Sequence, residues 1–158
     1  MPVLANNATG GVIYTPGALN SGLIVANDQV NTTETLASVA DIKIAVGKYE
    51  RIVFRYNLFA LWDATADIEY QVDIPASPTK FFTVTAGSDG STTAVGQAPI
   101  VAEAAQSLTT GSANGLLIVH GFLDNGENAG HLDFQFCMRA GGTSTTIQRG
   151  SYLEYQKF

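Results

Sequence analysis

From about Asn31 to the end of the chain, apolar and polar residues alternate with a period of two. In the run Glu50 to Leu58, Ile52, Phe54, Tyr56 and Leu58 share one side while Arg51, Arg55 and Asn57 share the other. Between Asp67 and Ile74, the side formed by Ile68, Tyr70, Val72 and Ile74 opposes Asp67, Glu69, Gln71 and Asp73. The cleanest instance is His131 to Arg139, where Leu132, Phe134, Phe136 and Met138 oppose His131, Asp133, Gln135, Cys137 and Arg139. This spacing belongs to a strand with one covered face, the usual form of antiparallel sheets. Weaker patterns predict further strands over Asp41 to Val46, Phe81 to Ala86, Gln106 to Thr109, Leu116 to Leu123, Ser144 to Gln148 and Ser151 to Lys157. Turn-forming clusters separate them at Gly47-Lys48, Pro75 to Pro78, Gly87 to Gly90, Gly111 to Gly115, Asn125 to Asn128 and Ala140 to Gly142. Only Ile100 to Ala105 looks helical, and it is short. About eight or nine strands with no helices between them predict an all-β antiparallel sandwich, and the size suits a jelly roll.

Two departures from this pattern matter. Leu116-Leu117-Ile118-Val119 is apolar on both faces, and Phe59, Leu61 and Trp62 are expected to continue the outward face of the Arg51 strand with large apolar groups. One face of each sheet in a sandwich meets the core, so a two-sided apolar strand predicts a second burial partner, most economically another copy of the chain. The second departure is the stretch from Met1 to about Val30, where Gly10-Gly11, Pro16-Gly17, Asn20-Ser21-Gly22 and Asn27-Asp28 interrupt short apolar pieces. Turn residues at that density predict an extended arm. Val12, Ile13, Tyr14, Leu23, Ile24 and Val25 give it apolar footholds that a solvated tail would not carry. The expected organisation is an arm over residues 1–30 and a β-sandwich over 31–158.

Composition narrows the function classes. Of 158 residues, 46% are apolar and only 14% charged, against roughly 25% charged in ordinary soluble domains. Fourteen acidic and eight basic side chains give a formal net charge of −6, which argues against nucleic-acid or anionic-membrane partners. Cys137 is the single cysteine, so no intramolecular disulfide is expected. Its place within a strand suggests a half-buried thiol rather than a nucleophile. The N-terminal residues lack a basic segment followed by a long apolar one, so no signal peptide is expected, and no run is long enough for a membrane helix.

Candidate chemistry is sparse. His120 and His131 fall on different predicted strands without metal-ligand spacing. No nucleophile elbow, Walker loop or dinucleotide fingerprint occurs. Asp67, Glu69 and Asp73 suit a solvated strand face better than a pair of catalytic carboxylates. The segments Gly87 to Gly90 and Asp124 to Asn128 are oxygen-rich but do not follow the EF-hand spacing, and hairpin turns use the same residues. The expectation is a protein without catalytic residues, cofactor or metal.

The C-terminal third is the most specific part. Gly121 to Phe136, with its apolar-acidic loop and the strand Ala129-Gly130-His131-Leu132-Asp133-Phe134-Gln135-Phe136, is followed by the Thr-rich hairpin and Gly150-Ser151-Tyr152-Leu153 of Gly142 to Tyr155. This ending resembles that of a family of tailed-bacteriophage virion proteins. Asn31 to Leu36 and Trp62 to Ile68 resemble earlier strands of the same proteins, so the likeness covers about residues 31–158. Phe136-Cys137 stands where the family usually has Trp-Ala. The resemblance implies a trimeric, tumour-necrosis-factor-like or jelly-roll module on a virion. Such a module serves as a capsid cement (decoration) protein or as a head or tail fibre tip that touches a host receptor or carbohydrate.

As a cement protein, the chain is expected to bind the assembled major capsid protein on the capsid exterior, after synthesis in the host cytoplasm. Val12, Ile13, Tyr14, Leu23, Ile24 and Val25 would dock the arm. Phe59, Trp62, Leu117, Val119, Tyr152 and Tyr155 would form the trimer contact, since aromatic anchors dominate interface cores. As a fibre tip, the loops Gly87 to Ser91 and Asp124 to Asn128 would carry recognition.

Overall fold

The computed structural model describes residues 21–62, 68–88, 95–96, 105–108 and 114–158. Strands dominate these residues. β1 (Ser21–Ile24), β2 (Gln29–Asn31) and β3 (Ala37–Ser38) lead through a 3₁₀ turn (Ala40–Ile42) into β4 (Ile44–Val46) and the long β5 (Arg51–Trp62). Next come β6 (Ile68–Asp73), β7 (Lys80–Ser88), β8 (Val95–Gly96), β9 (Gln106–Leu108) and a second long strand, β10 (Asn114–Asp124). β11 (Gly130–Met138), β12 (Thr145–Ile147) and β13 (Tyr152–Lys157) complete the order.

The strands form two antiparallel sheets. The larger has the order β1-β13-β5-β10-β7-β8, with β12 and β2 continuing from β5. The smaller has the order β3-β11-β6-β9, with β4 also on β11. Their apolar faces meet. From the large sheet come Ile52, Phe54, Tyr56, Leu58, Leu117, Val119, Leu123 and Leu153, and from the small one Ile68, Tyr70, Val72, Leu132, Phe134 and Phe136, all buried in one core. The aromatic rings span the gap. Tyr56 lies 5.4 Å from Phe134, which stacks on Tyr70 at 5.8 Å and 14°. The period-two reading of β5, β6 and β11 is thus what one finds, because each strand turns its apolar side to the opposite sheet.

Close approach at the core explains one glycine. Gly121 of β10 faces Phe54 of β5 directly across the ladder, and a Cβ built there would land on the Phe54 ring. Gly121→Ala is therefore expected to push a fully buried ring off its rotamer and to cost about 2 kcal/mol. Urea unfolding of the variant would show this as a lower midpoint at unchanged slope.

The predicted turns at Gly47-Lys48, Pro75 to Pro78 and Asn125 to Asn128 are knitted together. Asn125 Nδ2 donates to the carbonyls of Gly47 (2.7 Å) and Asn128 (2.8 Å), and Asn128 Nδ2 donates to that of Ala76 (3.0 Å). The backbone N–H of Tyr49 donates to the Gly126 carbonyl at 2.8 Å. Tyr49 and Ser77 hold positive φ of 57° and 58° at the centres of their turns, conformations that side-chain residues keep only when their surroundings enforce them.

Within the expected arm, Ser21 to Ile24 pairs with β13 in register, Leu23 opposite Leu153, and Gln29 to Asn31 pairs with β12. Asn31 is itself buried, its Nδ2 donating to the Phe136 carbonyl at 2.8 Å and to that of Thr35 at 2.9 Å. The Asp41 to Val46 strand is shorter, because the chain turns through Ala40–Ile42 first. The polar side of β11 is not solvated throughout: Asp133 is 1% exposed, held by Lys43 at 3.0 Å, Ser38 at 2.6 Å and Gln135 at 3.3 Å. Residues 1–20, most of the predicted loop from Gly87 to Ser91 and most of Ile100 to Ala105 lie outside the described residues.

Candidate functional site

The odd-numbered positions of β5 and the even-numbered positions of β10 point away from the core, and half of them are apolar: Val53, Phe59, Leu61, Leu116, Ile118 and Phe122. Direct cross-strand register lays them out in rows. One row runs Gln156, Val53, Phe122, Phe82; the next runs Gly22, Glu154, Arg55, His120, Val84; a third runs Ile24, Tyr152, Asn57, Ile118, Ala86. Beyond them Phe59 opposes Leu116, and Val30, Thr146 and Leu61 follow each other across β2, β12 and β5. Six of the eight exposed large apolar side chains among the described residues lie on this one face: Ile24, Val30, Val53, Phe59, Leu61 and Phe82, between 36% and 60% exposed. They fall in separate groups, Val53 and Phe82 on one side of the row Glu154, Arg55, His120 and Phe59, Leu61 and Val30 on the other; isolated exposed apolar residues are ordinary, and grouped ones mark candidate contact surface.

The face has an open depression of about 480 Å³ lined by Val53, Arg55, Phe82, His120 and Phe122, with Phe54 and Gly121 beneath. Phe82 and Phe122 sit in tilted contact on one side of it, centroids 6.3 Å apart. A polar stripe crosses the middle, Glu154 on β13, Arg55 on β5 and His120 on β10. Partial burial, and secondarily the Arg55 charge, push the His120 imidazole below its ordinary value of 6.5. Val84, its neighbour on β7, is uncharged. A depressed histidine favours the neutral form in the folded state, so its contribution to stability is present above about pH 6.5 and is lost as the pH falls through that value. The wild type should therefore lose thermal stability between pH 7 and pH 5 relative to His120→Gln, with the difference small because the ring is exposed. Equal pH slopes for the two proteins would contradict this.

Nothing else among the described residues assembles a reactive group. His131 lies on β11, in the other sheet from His120. Burial, with the Glu69 and Glu34 carboxylates behind it, pushes the Cys137 thiol up, away from the thiolate a nucleophile needs. No three His, Cys, Asp or Glu side chains gather as metal ligands, and no helix is long and apolar enough to cross a membrane, among the described residues. Within Asp124 to Asn128, the loop considered for host recognition, Asn125 and Asn128 take part in the turn network, and Glu127 and Asn128 are exposed.

The structure divides the residues singled out from sequence. Phe59 and Tyr152 lie on the apolar face, Phe59 at 42% exposure. Trp62, Leu117 and Val119, expected at a contact between copies, are buried in the chain's own core, and Tyr155 packs against that core's edge. Of the arm residues, Val25 is a core residue, Leu23 packs on the core and Ile24 lies on the apolar face. Val12, Ile13 and Tyr14 lie outside the described residues. Sequence reasoning missed Val53, Phe82 and Phe122. Their signal was available: Val53 interrupts the polar side of the Arg51 strand, and Phe81-Phe82 is apolar on both faces.

No family model matches the chain, and neither does any curated protein. Among solved structures it is similar to one titled "Structure of infectious bursal disease virus Gx strain", at 7% identity over 99% of this chain, with a TM-score of 0.16. The aligned region is 45% of that longer chain, and a likeness at that score carries no argument about fold or function.

Proposed function

We propose that this is a structural protein of a tailed-bacteriophage particle, a cement protein with a jelly-roll, tumour-necrosis-factor-like sandwich that binds the assembled lattice of major capsid protein as a homotrimer. The observation that carries this reading is the apolar outer face of the large sheet, which a solitary subunit would leave in water. The resemblance of Gly121 to Tyr155 to phage virion proteins supplies the setting. A protein that binds the assembled shell but not its free subunits stabilises the shell by mass action, and linked subunits gain from avidity. Quantitative mass spectrometry of purified virions tests it. Hundreds of copies per particle are expected of cement, a dozen or fewer would turn the reading to a fibre tip, and absence from the particle would overturn both.

A further inference from the structure

We infer that the open depression on the large sheet binds a small organic acid, a carboxylate carried on a ring with an apolar face. The inference goes beyond the proposed function and does not rest on it. Three neighbouring rows of side chains are its ground. In the middle row Val53, Phe122 and Phe82 lie side by side on β5, β10 and β7. Phe82 is 42% exposed and in tilted contact with Phe122, so the row makes an apolar strip about 10 Å long across the three strands. Polar rows border the strip on both sides, Arg51, Asp124 and Lys80 on one and Arg55 and His120 on the other. These two rows stand four residues apart on β5, about 13 Å, which leaves room for one six-membered ring laid flat on the strip. The volume of about 480 Å³ is that of a small-molecule site.

Charge selects the acid. The chain has fourteen acidic and eight basic side chains, yet three of the eight, Arg51, Arg55 and Lys80, stand in these rows against Asp124 and, beyond Arg55 on β13, Glu154. Arg51 is engaged, its Nε 3.3 Å from the Asp124 carboxylate. Arg55, which lines the depression, is not: its Nε is buried without a partner, and among the described residues its guanidinium pairs with neither Glu154 nor any other carboxylate. A charged donor left without an acceptor costs stability in the free protein, and an ionised carboxylate is the acceptor whose planar shape the guanidinium matches. His120 beside it is mainly neutral at pH 7, its pKa lowered by partial burial and by Arg55, so it offers a hydrogen bond without a second charge. Because the depression is open, the far side of a bound ring stays in water, which suits a ring with one apolar face better than a wholly apolar ligand. An aromatic acid and an acidic sugar share this chemistry, the sugar through the C–H face of its pyranose.

Titration of the isotope-labelled full chain near pH 7, followed through the backbone amide signals of Val53, Arg55, His120 and Phe122 by NMR, tests the inference. Phenylacetate is compared with phenylacetamide and methyl glucuronide with methyl glucoside, and the pair that responds identifies the source. At least one acid should bind with a dissociation constant of about 1 mM, the scale for ligands this small, and roughly tenfold more tightly than its uncharged counterpart. Arg55→Gln should erase that preference, and Phe82→Ala should weaken acid and counterpart alike, by several-fold. Tyr49→Ala, at an exposed ring outside the depression, should change neither. Circular dichroism verifies the fold of each variant, and the comparison of acid with counterpart on the wild type needs no variant at all. Unmoved amide signals at about ten times that concentration would overturn the inference. So would equal binding of acid and counterpart, or a preference for the acid that survives Arg55→Gln.

Discussion

Replacing Phe134 with alanine is expected to cost about 4 kcal/mol of folding stability, the largest effect of any substitution considered. Phe134 is fully buried and stands between Tyr56 of the large sheet and Tyr70 of its own. Alanine there removes the ring that both tyrosines lean on. It leaves a cavity the two sheets cannot close, because their spacing of about 10 Å is held by the remaining side chains. The cavity would also sit beside Tyr56, whose hydroxyl is buried without a partner and whose burial, with the Asp133 charge behind it, raises its pKa well above the ordinary 10.0. Guanidinium unfolding of wild type and variant measures the difference. A loss under 1 kcal/mol would mean that the two sheets do not share this core.

Lys43→Met is expected to cost about 3 kcal/mol. Asp133 is 1% exposed on its side chain and Lys43 34%, with 3.0 Å between Lys43 Nζ and the carboxylate. Removing the lysine strands a charge that water does not reach, the costly way to break a buried pair. Ser38 and Gln135 still donate to Asp133 in the variant, which places the loss at the low end of the range for such pairs. The double variant Lys43→Met with Asp133→Leu should regain most of the stability, since no charge is then left buried. Thermal unfolding of the four proteins closes the cycle, and an unrecovered double variant would show that the pair stabilises through packing rather than charge.

The all-β, antiparallel character was legible because strand alternation is a local signal. β5, β6 and β11 each carry an apolar side at two-residue spacing, and a side chain's face follows from its parity alone. Turn chemistry at Gly47-Lys48, Pro75 to Pro78 and Asn125 to Asn128 marked the ends in the same local way. The first strands were not legible. Ser21 to Ile24 has four residues among turn formers, and it is held by hydrogen bonds from β13, which lies at the other end of the chain. Asp133 read as solvated because its cover, Ser38 and Lys43, is some ninety residues away in sequence.

The contact face shows the same division. By itself the sequence determined that Leu116 to Val119 is apolar on both sides and that charges are scarce, and so that some apolar sheet surface exceeds what one core can use. It did not determine which side is left over. When both faces of a strand are apolar, parity has nothing to distinguish them, and Leu117 and Val119 were as good candidates as Leu116 and Ile118; Trp62, by contrast, shares the parity of Ile52, Phe54, Tyr56 and Leu58 and so belonged with the core side of its strand. Only the tertiary structure decides this. Pairing with β5 phases β10 so that Leu117 and Val119 enter the core beside Leu58 and Tyr56. Their neighbours are thereby left to the outer face, and the register between strands far apart in the chain, rather than any residue's own hydrophobicity, makes that face the surface available to a partner.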